Sequence, residues 1–526
     1  MEALFKYIRI GLLCLLLTGC QESARDEYPA PPSRTATLEI QFNVKLADNA
    51  TTRADYELDG TQAENAIAYF DLFVVDLDDS QEEVWGTAQS FRIYTPSWFS
   101  SPAGNYQITK RIKTTIGKKR MYVGANMTSA QVDAFIAQQG KLYASSETGY
   151  AGIVTDFTGN SLRGMLMTGE VKSAGSTTID VVASDETTPL AVQTDLYRTA
   201  AKVLLTCELI DLEHVSITDP QGSALNGWMK LENVYFALNT VNRRINLMQQ
   251  TVSGNITDPN YLVSDLVGLQ DGKYQVINQS TYNDHFIRIS TLPGDASFPG
   301  ATWKQAVEYD ATKLGSGSAS HYTAGLYCPE NTLSTAGMPL TAEQLKTVPM
   351  MTATHLAVAA QYSPKMIVTA TGEYTATSAD DSGAKLPSVT GVDENGDPAT
   401  YPGGSFWFYN NQFYSYDGML QKITDSASDD VPLTRKDFML YTGGWGYYLT
   451  YIDGDTTTEA GKIGFDNAKS GVLRNYYYIL SAGEFKVPGN PDIEWSDNTM
   501  KVHSRKIQWN YRGGSTVPID PNKSYD

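Results

Sequence analysis

Cysteine is scarce in this chain, which excludes a fold held together mainly by disulfides. Of the 526 residues only four are cysteine, and Cys14 and Cys20 lie within the first twenty residues. Cys207 and Cys328 remain, and the sequence leaves open whether they form a disulfide or two buried thiols. A chain of this length can bury a sufficient apolar core without disulfide bonds.

Motifs for catalysis and metal binding are also lacking. No two of the five histidines have the spacing of a zinc-binding helix, and the sequence contains no Cys-x-x-Cys pair. A nucleophile elbow and a phosphate-binding loop are absent as well. Because the chain has 59 acidic residues, pairs of carboxylates carry no glycosidase signal. We therefore expect neither an enzyme nor a cofactor.

Positive charge is low relative to negative charge. Lysine and arginine number 40 against 59 acidic residues, which gives a formal net charge of -19. Such a surface repels phosphate backbones and anionic lipids, which argues against a nucleic-acid partner.

Two acidic segments, 76–79 and 393–397, place oxygen ligands at alternate positions but lack the complete EF-hand pattern. Solvated turns are the favoured interpretation, and calcium binding stays open.

Long apolar runs are lacking too, and the one near the N-terminus is short. A basic segment precedes the apolar stretch Ile10 to Leu17, which is too short for a transmembrane helix. The stretch ends in Leu17-Thr18-Gly19-Cys20, which is typical of a lipobox. Residues 1–20 are therefore predicted to be a lipoprotein signal peptide with Cys20 as the lipidated residue. This signal places the precursor at the cell outer membrane.

The residues that are abundant favour β structure. Thirty-two tyrosines and 43 glycines accompany short alternating runs that Gly, Pro, Asn and Asp interrupt. These features predict an all-β fold with few short helices. One helix is predicted from Ser129 to about Gln139, with Ser129 as its N-cap and Gly140 as its stop.

Four regions are predicted along the chain. The polar stretch 183–189 precedes a long new strand, so a domain boundary is placed near Leu196. The regions are a signal peptide at 1–20, a leader at 21–53, an N-terminal domain at 54–195 and a C-terminal domain at 196–526.

The leader contains a strand with strict alternation. From Leu38 to Leu46 every second residue is apolar, which is the pattern of a strand with one buried face. Arg53 alone among the leader arginines follows this strand, so a cut before Ala54 releases it from the rest of the chain. Burial of its apolar side chains stabilises by roughly 1.5 to 3 kcal/mol each, on the order of 10 kcal/mol before ordering costs. Those side chains are Leu38, Ile40, Phe42, Val44 and Leu46.

Four further segments follow the lipobox and the leader strand in a fixed order. They are Met167-Thr168-Gly169-Glu170, Arg198-Thr199-Ala200-Ala201-Lys202-Val203, Tyr327-Cys328-Pro329-Glu330-Asn331 and Leu473-Arg474-Asn475-Tyr476-Tyr477-Tyr478. In that order the chain resembles the fimbrillin family, the pilus subunits of Bacteroidales-type bacteria. The resemblance covers most of the chain and depends on the order of the segments.

This resemblance implies two transthyretin-like Greek-key β-sandwich domains. Cys20 corresponds to the lipidated cysteine, Arg53-Ala54 to the bond cut by an Arg-specific surface protease, and Leu38 to Leu46 to the strand that is removed. Such subunits polymerise head to tail by donor-strand exchange, with copies of themselves or with other fimbrial subunits. The mature protein then belongs to a fimbria on the cell surface, which supports adhesion to host proteins or glycans.

A donor strand should be terminal and should alternate like the strand it replaces. The region from Met500 to Ile519 has this pattern. The alternative is that Ile507 to Tyr511 forms the last core strand of the C-terminal domain, with 513–526 as the free end. The candidate donor residues are Met500, Val502, Ile507, Trp509 and Tyr511.

Two aromatic runs leave another function open. Phe406 to Tyr416 and Trp445 to Tyr451 are rich in rings that would stack on sugars if they were exposed. Both runs also fit adjacent antiparallel strands around an Asn-Asn or Asp-Gly turn, which is the favoured interpretation. The alternative function is a surface lipoprotein that stays anchored through Cys20 and binds glycans.

Overall fold

The computed structural model of the protein describes most of the chain in separate stretches. For the strands at 35–46, 57–59 and 500–510 it gives the backbone and its pairing. The described residues are 35–46, 57–59, 64, 66–94, 105–158, 164–182, 189–207, 215–218, 224–252, 255–259, 266–270, 273–300, 302–308, 325–332, 351–375, 386–452, 471–485, 488–493 and 500–510.

Strands dominate the described part of the chain, which confirms the predicted all-β fold class. In the first half they are β1 (Thr35–Leu46), β2 (Glu57–Asp59), β3 (Tyr69–Leu77), β4 (Glu83–Tyr94), β5 (Asn105–Thr115), β6 (Gly117–Ala125), β7 (Leu142–Ala144), β8 (Met167–Lys172), β9 (Ile179–Val181), β10 (Leu190–Arg198), β11 (Ala200–Cys207), β12 (Val215–Thr218), β13 (Ala224–Trp228), β14 (Val234–Asn239), β15 (Val241–Asn242), β16 (Arg244–Asn246), β17 (Gln250–Val252) and β18 (Asn255–Thr257). In the second half they are β19 (Val267–Gln270), β20 (Lys273–Val276), β21 (Phe286–Ile287), β22 (Lys304–Gln305), β23 (Val307–Glu308), β24 (Leu326–Pro329), β25 (His355–Gln361), β26 (Ser363–Pro364), β27 (Met366–Thr369), β28 (Gly372–Thr375), β29 (Val389–Val392), β30 (Pro398–Tyr401), β31 (Phe406–Tyr409), β32 (Gln412–Tyr414), β33 (Met439–Tyr441), β34 (Trp445–Tyr451), β35 (Tyr476–Phe485) and β36 (Met500–Asn510).

Helices are short and few among the described residues. None of them is both long enough and apolar enough to span a membrane. The α-helices are α1 (Ser129–Ala137), α2 (Tyr150–Thr158), α3 (Gln279–His285) and α4 (Tyr416–Asp425), and the 3-10 turns are Leu231–Asn233, Ser426–Ser428, Arg435–Asp437 and Thr442–Gly444.

Helix α1 is the helix predicted from the sequence, but its N-cap is one residue earlier than expected. The Thr128 hydroxyl accepts a hydrogen bond from the backbone N–H of Gln131 at 3.1 Å, and the Gln131 side chain accepts one from the Thr128 N–H at 2.9 Å. This reciprocal capping box makes Ser129 the first helical residue. Gly140 stops the helix as predicted, since it has φ +69° and its N–H donates to the Phe135 carbonyl.

The N-terminal strands form an eight-stranded sheet in the order β4-β3-β6-β8-β10-β1-β5, with β9 beside β6. Strand β3 is a nearly continuous apolar run because both of its faces are covered. Phe70 and Leu72 belong to the apolar core that β6, β8 and β10 share. Phe73 packs on the other face against α1, where its ring lies 4.0 Å from that of Phe135.

A six-stranded sheet in the order β2-β36-β35-β11-β23 follows, with β24 also paired with β11. Every residue of β11 is buried, and Leu204 and Leu205 belong to the largest apolar core among the described residues. Strand β10 ends at Arg198 in the first sheet and β11 begins at Ala200 in the second. Thr199 therefore separates the two sheets, while the domain boundary near Leu196 stays a prediction.

Besides the three-stranded sheet β12-β13-β26 and several two-stranded ladders, the C-terminal part has two larger sheets. One has the order β22-β14-β25-β34, and the other has the order β28-β27-β32-β31-β33. Strand β13 connects to the second of these through β26, because Gly227 pairs with Pro364. This connection brings β13 beside β27 and forms the wall of a cleft described below.

Candidate functional site

The strand predicted to be removable lies inside the eight-stranded sheet. β1 pairs in parallel with β10. This pairing begins where Ile40 faces Leu190 and continues to Leu46 at the end of β1. On its other side β1 pairs antiparallel with β5 along nearly its whole length, from Thr35 to Lys45. β1 is therefore an internal strand with ladders on both sides.

The register of β1 matches its sequence alternation. Residues that pair across adjacent strands occupy the same face of a sheet. The alternating apolar positions of β1 therefore lie on the face where β10 and β5 bury their side chains. The pairs are Leu38 with Ile112, Phe42 with Val192 and Leu46 with Leu196, in which the partner side chains are 3%, 2% and 1% exposed.

Loss of β1 would open this sheet at one place. Strand β5 stands at the end of the sheet and has β1 as its neighbour, whereas β10 lies between β1 and β8. Without β1, the backbone N–H and C=O groups of β10 and β5 that face the gap have no ladder partners. The gap also adjoins the apolar core that contains Val192 and Leu196.

The residues predicted to be processed lie outside the described residues. They are Cys20, Arg53 and Ala54. In sequence, the Arg53-Ala54 bond falls between Leu46, where β1 ends, and Glu57, where β2 begins. Since β1 belongs to the eight-stranded sheet and β2 to the six-stranded sheet, a cut at this bond separates two strands of different sheets.

The predicted donor region forms a strand of the chain's own sheet. β36 pairs antiparallel with β35, and its outer edge pairs in parallel with β2 over three residues. This placement corresponds to the alternative to a terminal donor, the last strand of the C-terminal part, and the donor role stays a prediction. Met500, Val502, Ile507 and Trp509 lie within β36, and Tyr511 lies outside the described residues.

The segments that carry the resemblance to fimbrillins meet where the two sheets meet. β11 pairs antiparallel with β24, where Ala201 faces Cys328, and in parallel with β35, where Lys202 faces Tyr477. Arg198, at the end of β10, pairs with Met167 of β8. Four segments that are far apart in sequence therefore form one contiguous junction.

A buried ion pair lies in this junction. Lys202 Nζ lies 2.6 Å from Glu64 Oε1, and the Tyr327 hydroxyl donates to the same oxygen at 2.6 Å. The Lys202 ammonium also lies 5.5 Å from the ring centre of Tyr327 and 5.4 Å from that of Tyr477. Burial lowers the pKa of Lys202, and Glu64 opposes this shift. Burial raises the pKa of Tyr327, which keeps its hydroxyl protonated as a donor.

A second buried ion pair joins the ends of β24 and β35. Arg474 Nε and Nη2 lie 3.0 and 2.9 Å from Glu330 Oε2, and both residues are almost fully buried. The same guanidinium donates to the carbonyl oxygens of Asn246 and Leu247, at 2.6 and 3.0 Å. The Gln249 side chain donates to the other Glu330 oxygen at 3.0 Å. This network ties the six-stranded sheet to β16 and the residues that follow it.

Sequence reasoning did not find these ion pairs. The sequence around Lys202 could have indicated a buried charge that needs a partner, because Lys202 is the one charged residue within the strand Ala200–Cys207. Nothing in the sequence indicates that Glu64 is this partner, since the two residues are 138 positions apart along the chain. The pairing of Glu330 with Arg474 spans a similar distance of 144 residues.

Residues 406–414 of the first aromatic run form paired antiparallel strands, which confirms that interpretation for this run, whereas the second run, β34, pairs antiparallel with β25. β31 and β32 form a hairpin in which Trp407 pairs with Tyr414. Asn410 and Asn411 form its two-residue turn with φ values of 44° and 61°, a conformation that asparagine tolerates. Because Trp407 is 4% and Tyr414 is 2% exposed, these rings offer no face for stacking on a sugar.

Each acidic segment contains an aspartate that accepts backbone hydrogen bonds in a turn, and Asp76 of the first segment still belongs to β3. Asp78 Oδ1 accepts from the N–H groups of Ser80 and Glu82, each at 2.9 Å. Asp393 Oδ1 accepts from Asn395 and Asp397 in the same way, and these bonds lower the pKa of Asp393. Across the described ranges, no three His, Cys, Asp or Glu side chains gather as a metal site requires.

Both cysteines beyond the N-terminal segment are buried thiols. Cys207 lies on β11 and Cys328 on β24, two strands that pair with each other. Burial raises the pKa of Cys328 to about 12. Its thiol therefore stays protonated at neutral pH and is a poor nucleophile.

No protein-family model matches this sequence, and no curated protein matches it. Solved structures that resemble the chain include a fimbrilin from Porphyromonas gingivalis W83, at 11% identity and a TM-score of 0.39, over 90% of this chain and 98% of that one. A protein from Parabacteroides distasonis ATCC 8503, named as a candidate cell adhesion protein, has 12% identity and a TM-score of 0.39, over 90% of this chain and 100% of that one. The tip fimbrial protein Mfa3 from Porphyromonas gingivalis has 11% identity and a TM-score of 0.33, over 90% and 100%. Fimbrial proteins are thus among the solved structures that this chain resembles.

Proposed function

We propose that this protein is a structural subunit of a cell-surface fimbria. In this proposal it is exported as a lipoprotein, cleaved after Arg53 and polymerised by donor-strand exchange. The observation that carries the proposal is the position of β1, which pairs on both sides inside the eight-stranded sheet and precedes the cut in sequence. A cut after Arg53 converts this internal strand into a separate piece that the sheet can lose.

The leader strand acts as a plug in the precursor. While β1 is present, the facing backbone groups of β10 and β5 are occupied along its length. Once β1 is removed, both strands present open edges beside an apolar core, and such edges are templates for a strand from another chain. Export with the plug in place keeps subunits apart until a surface protease cuts at Arg53.

The geometry of the gap sets conditions for the incoming strand. To reproduce the ladders of β1, a donor must run parallel to β10 and antiparallel to β5. β1 has 12 residues, and β36 in the C-terminal region has 11. We assign the donor to the region from Met500 to Ile519, so that β36 exchanges its place beside β35 for the gap of the next subunit. Insertion from one subunit into the next does not close on itself, so it produces a fibre.

The proposal is tested on the cell surface with Arg53→Ala and with Arg34→Ala as its matched control. Arg34 precedes the leader strand, so its loss leaves the cut after Arg53 intact. We expect wild type and Arg34→Ala to begin at Ala54 in N-terminal sequencing and to show a polymer ladder on an unboiled gel. Arg53→Ala should remain a lipidated monomer with Cys20 blocked.

Two outcomes would contradict this function. A normal ladder from Arg53→Ala would show that leader removal at this bond is not required. A wild-type protein that stays monomeric and lipidated at Cys20 would instead favour an anchored surface lipoprotein.

A further inference from the structure

A cleft in the C-terminal part of the chain lies apart from the leader strand and from the ion-pair junction. It has a volume of about 320 Å³ and lies between strand β13 and the hairpins β27–β28 and β31–β32. Leu225 and Phe413 form an apolar floor, with 6% and 5% of their surfaces exposed. Ligand clefts typically measure roughly 300 to 1,000 Å³, so this one fits a small ligand.

The walls of the cleft are held together by hydrogen bonds and packing. The Lys365 N–H donates to the Asn226 carbonyl at 2.9 Å, and the Tyr362 hydroxyl donates to the Leu225 carbonyl at 3.0 Å. The ring centre of Tyr362 lies 5.6 Å from that of Phe413, so the two rings pack together. The cleft is therefore formed before any ligand arrives, which reduces the entropic cost of binding.

Polar side chains at the mouth of this cleft are exposed or half-exposed, so a ligand can reach them. Lys365 and Glu373 line it, and neither has an ion-pair partner among the residues that the structure describes. Asn226 and Asn411 also line it, and their side-chain amides bond to no other described residue. One ammonium and one carboxylate cancel in charge, so the cleft favours neither an anion nor a cation.

We propose that this cleft binds a neutral saccharide of one or two rings. Each sugar hydroxyl both donates and accepts, and the amides of Asn226 and Asn411 offer both functions. Glu373 accepts from hydroxyls and Lys365 donates to them, and bonds to charged groups are the stronger kind. The C–H face of a sugar ring then covers the apolar floor. This site uses polar groups at the cleft mouth and not the buried rings of the aromatic runs, and it does not depend on the proposed fimbrial function.

The test uses the purified full-length protein on an array of neutral oligosaccharides built from hexoses and N-acetylhexosamines, with sialylated oligosaccharides and dipeptides beside them. Titration calorimetry with the disaccharide of the best neutral hit then gives an affinity. Glu373→Gln removes the carboxylate, and Asn411→Gly removes an amide while keeping a residue that suits φ 61°. Glu394→Gln, in the turn that precedes β30, is the matched control outside the cleft.

We expect wild type and Glu394→Gln to bind a neutral saccharide equally, and Glu373→Gln and Asn411→Gly to bind it roughly tenfold more weakly or worse. Equal melting temperatures for the four proteins show that the loss is local. Undiminished binding by both cleft variants overturns the proposal. So does a wild type that binds only sialylated oligosaccharides or dipeptides, or no member of the array.

Discussion

Lys202 and Glu64 form an ion pair at 2.6 Å in which the side chains are only 3% and 2% exposed. Glu64 follows Arg53 in sequence, so a cut after Arg53, as proposed, would leave both partners of this contact in one chain. Lys202 lies on β11, where it pairs with Tyr477 of β35 on one side and with Tyr327 of β24 on the other. The pair therefore attaches the segment that follows Arg53 to an internal strand of the six-stranded sheet, and the proposed loss of β1 would not remove this attachment.

Breaking this ion pair should strongly destabilise the protein. Glu64→Gln leaves the Lys202 ammonium buried without its carboxylate, and such losses cost about 3 to 5 kcal/mol. The free energy of unfolding from urea denaturation measures the effect. The double variant Glu64→Gln with Lys202→Met removes both charges and should recover much of the loss. A single variant within about 1 kcal/mol of wild type would show that the pair contributes little.

Substitution within the leader strand should weaken the precursor and leave the mature subunit unchanged. Phe42→Ser removes an apolar group at a position level with the buried Val192, and we expect a loss of about 3 kcal/mol or more. Gln41→Ser on the opposite face is the matched control and should change stability by less than about 0.5 kcal/mol. Urea denaturation compares each uncleaved precursor with the chain that begins at Ala54. Equal effects of the two substitutions would show that β1 has no buried face.

The donor assignment predicts a specific cross-link between subunits. Gln193, exposed on β10, lies level with Asn43 of the leader strand, so a donor that replaces β1 must pass beside it. In the double variant Gln193→Cys with Lys506→Cys, mild oxidation of fibres should form disulfides between subunits. These should appear as a ladder of covalent multimers on a non-reducing denaturing gel. Uncleaved precursor of the same variant should remain monomeric.

The cross-linking experiment has a control and an outcome that would contradict the donor assignment. Gln193→Cys alone is the control, and because Cys207 and Cys328 are buried they should not contribute. A ladder that forms with a cysteine at Asp195 and another in 513–526, but not with Lys506→Cys, would move the donor beyond β36.

His355 should make stability depend on pH. The ring is fully buried, with Nδ1 at 3.0 Å from the Ala353 carbonyl and Nε2 at 3.2 Å from the Asn239 amide, and burial lowers its pKa to about 4. The unfolded chain, with a pKa near 6.5, binds the proton more readily between pH 6.5 and 4. Stability is therefore complete above pH 6.5 and falls by roughly 3 kcal/mol as the pH drops to about 4.

The check compares wild type with His355→Gln by urea denaturation from pH 7.5 to 4. The variant loses a constant amount from imperfect packing, but its stability should fall less steeply over this range because the titrating ring is gone. Parallel curves for the two proteins would show that His355 is not the group responsible.

Local patterns in the sequence predicted several elements correctly. The alternation of Leu38 to Leu46 predicted β1, and the spacing of apolar residues after Ser129 predicted α1. The N-cap was wrong by one residue, because Thr128 and Ser129 are both good caps and only the contact with Gln131 distinguishes them. The Asn410-Asn411 turn was also predictable, since few residue pairs adopt two successive positive φ values.

The sequence by itself determined that a strand with one apolar face precedes Arg53, because alternation and order along the chain are local properties. Only the tertiary structure decided that β1 lies between β10 and β5, that β36 pairs with β35, and that Lys202 meets Glu64. The physical reason is that backbone ladders and buried ion pairs join residues far apart in the chain. Their formation depends on which strands the whole fold brings together, and the periodicity of one strand does not specify its neighbours.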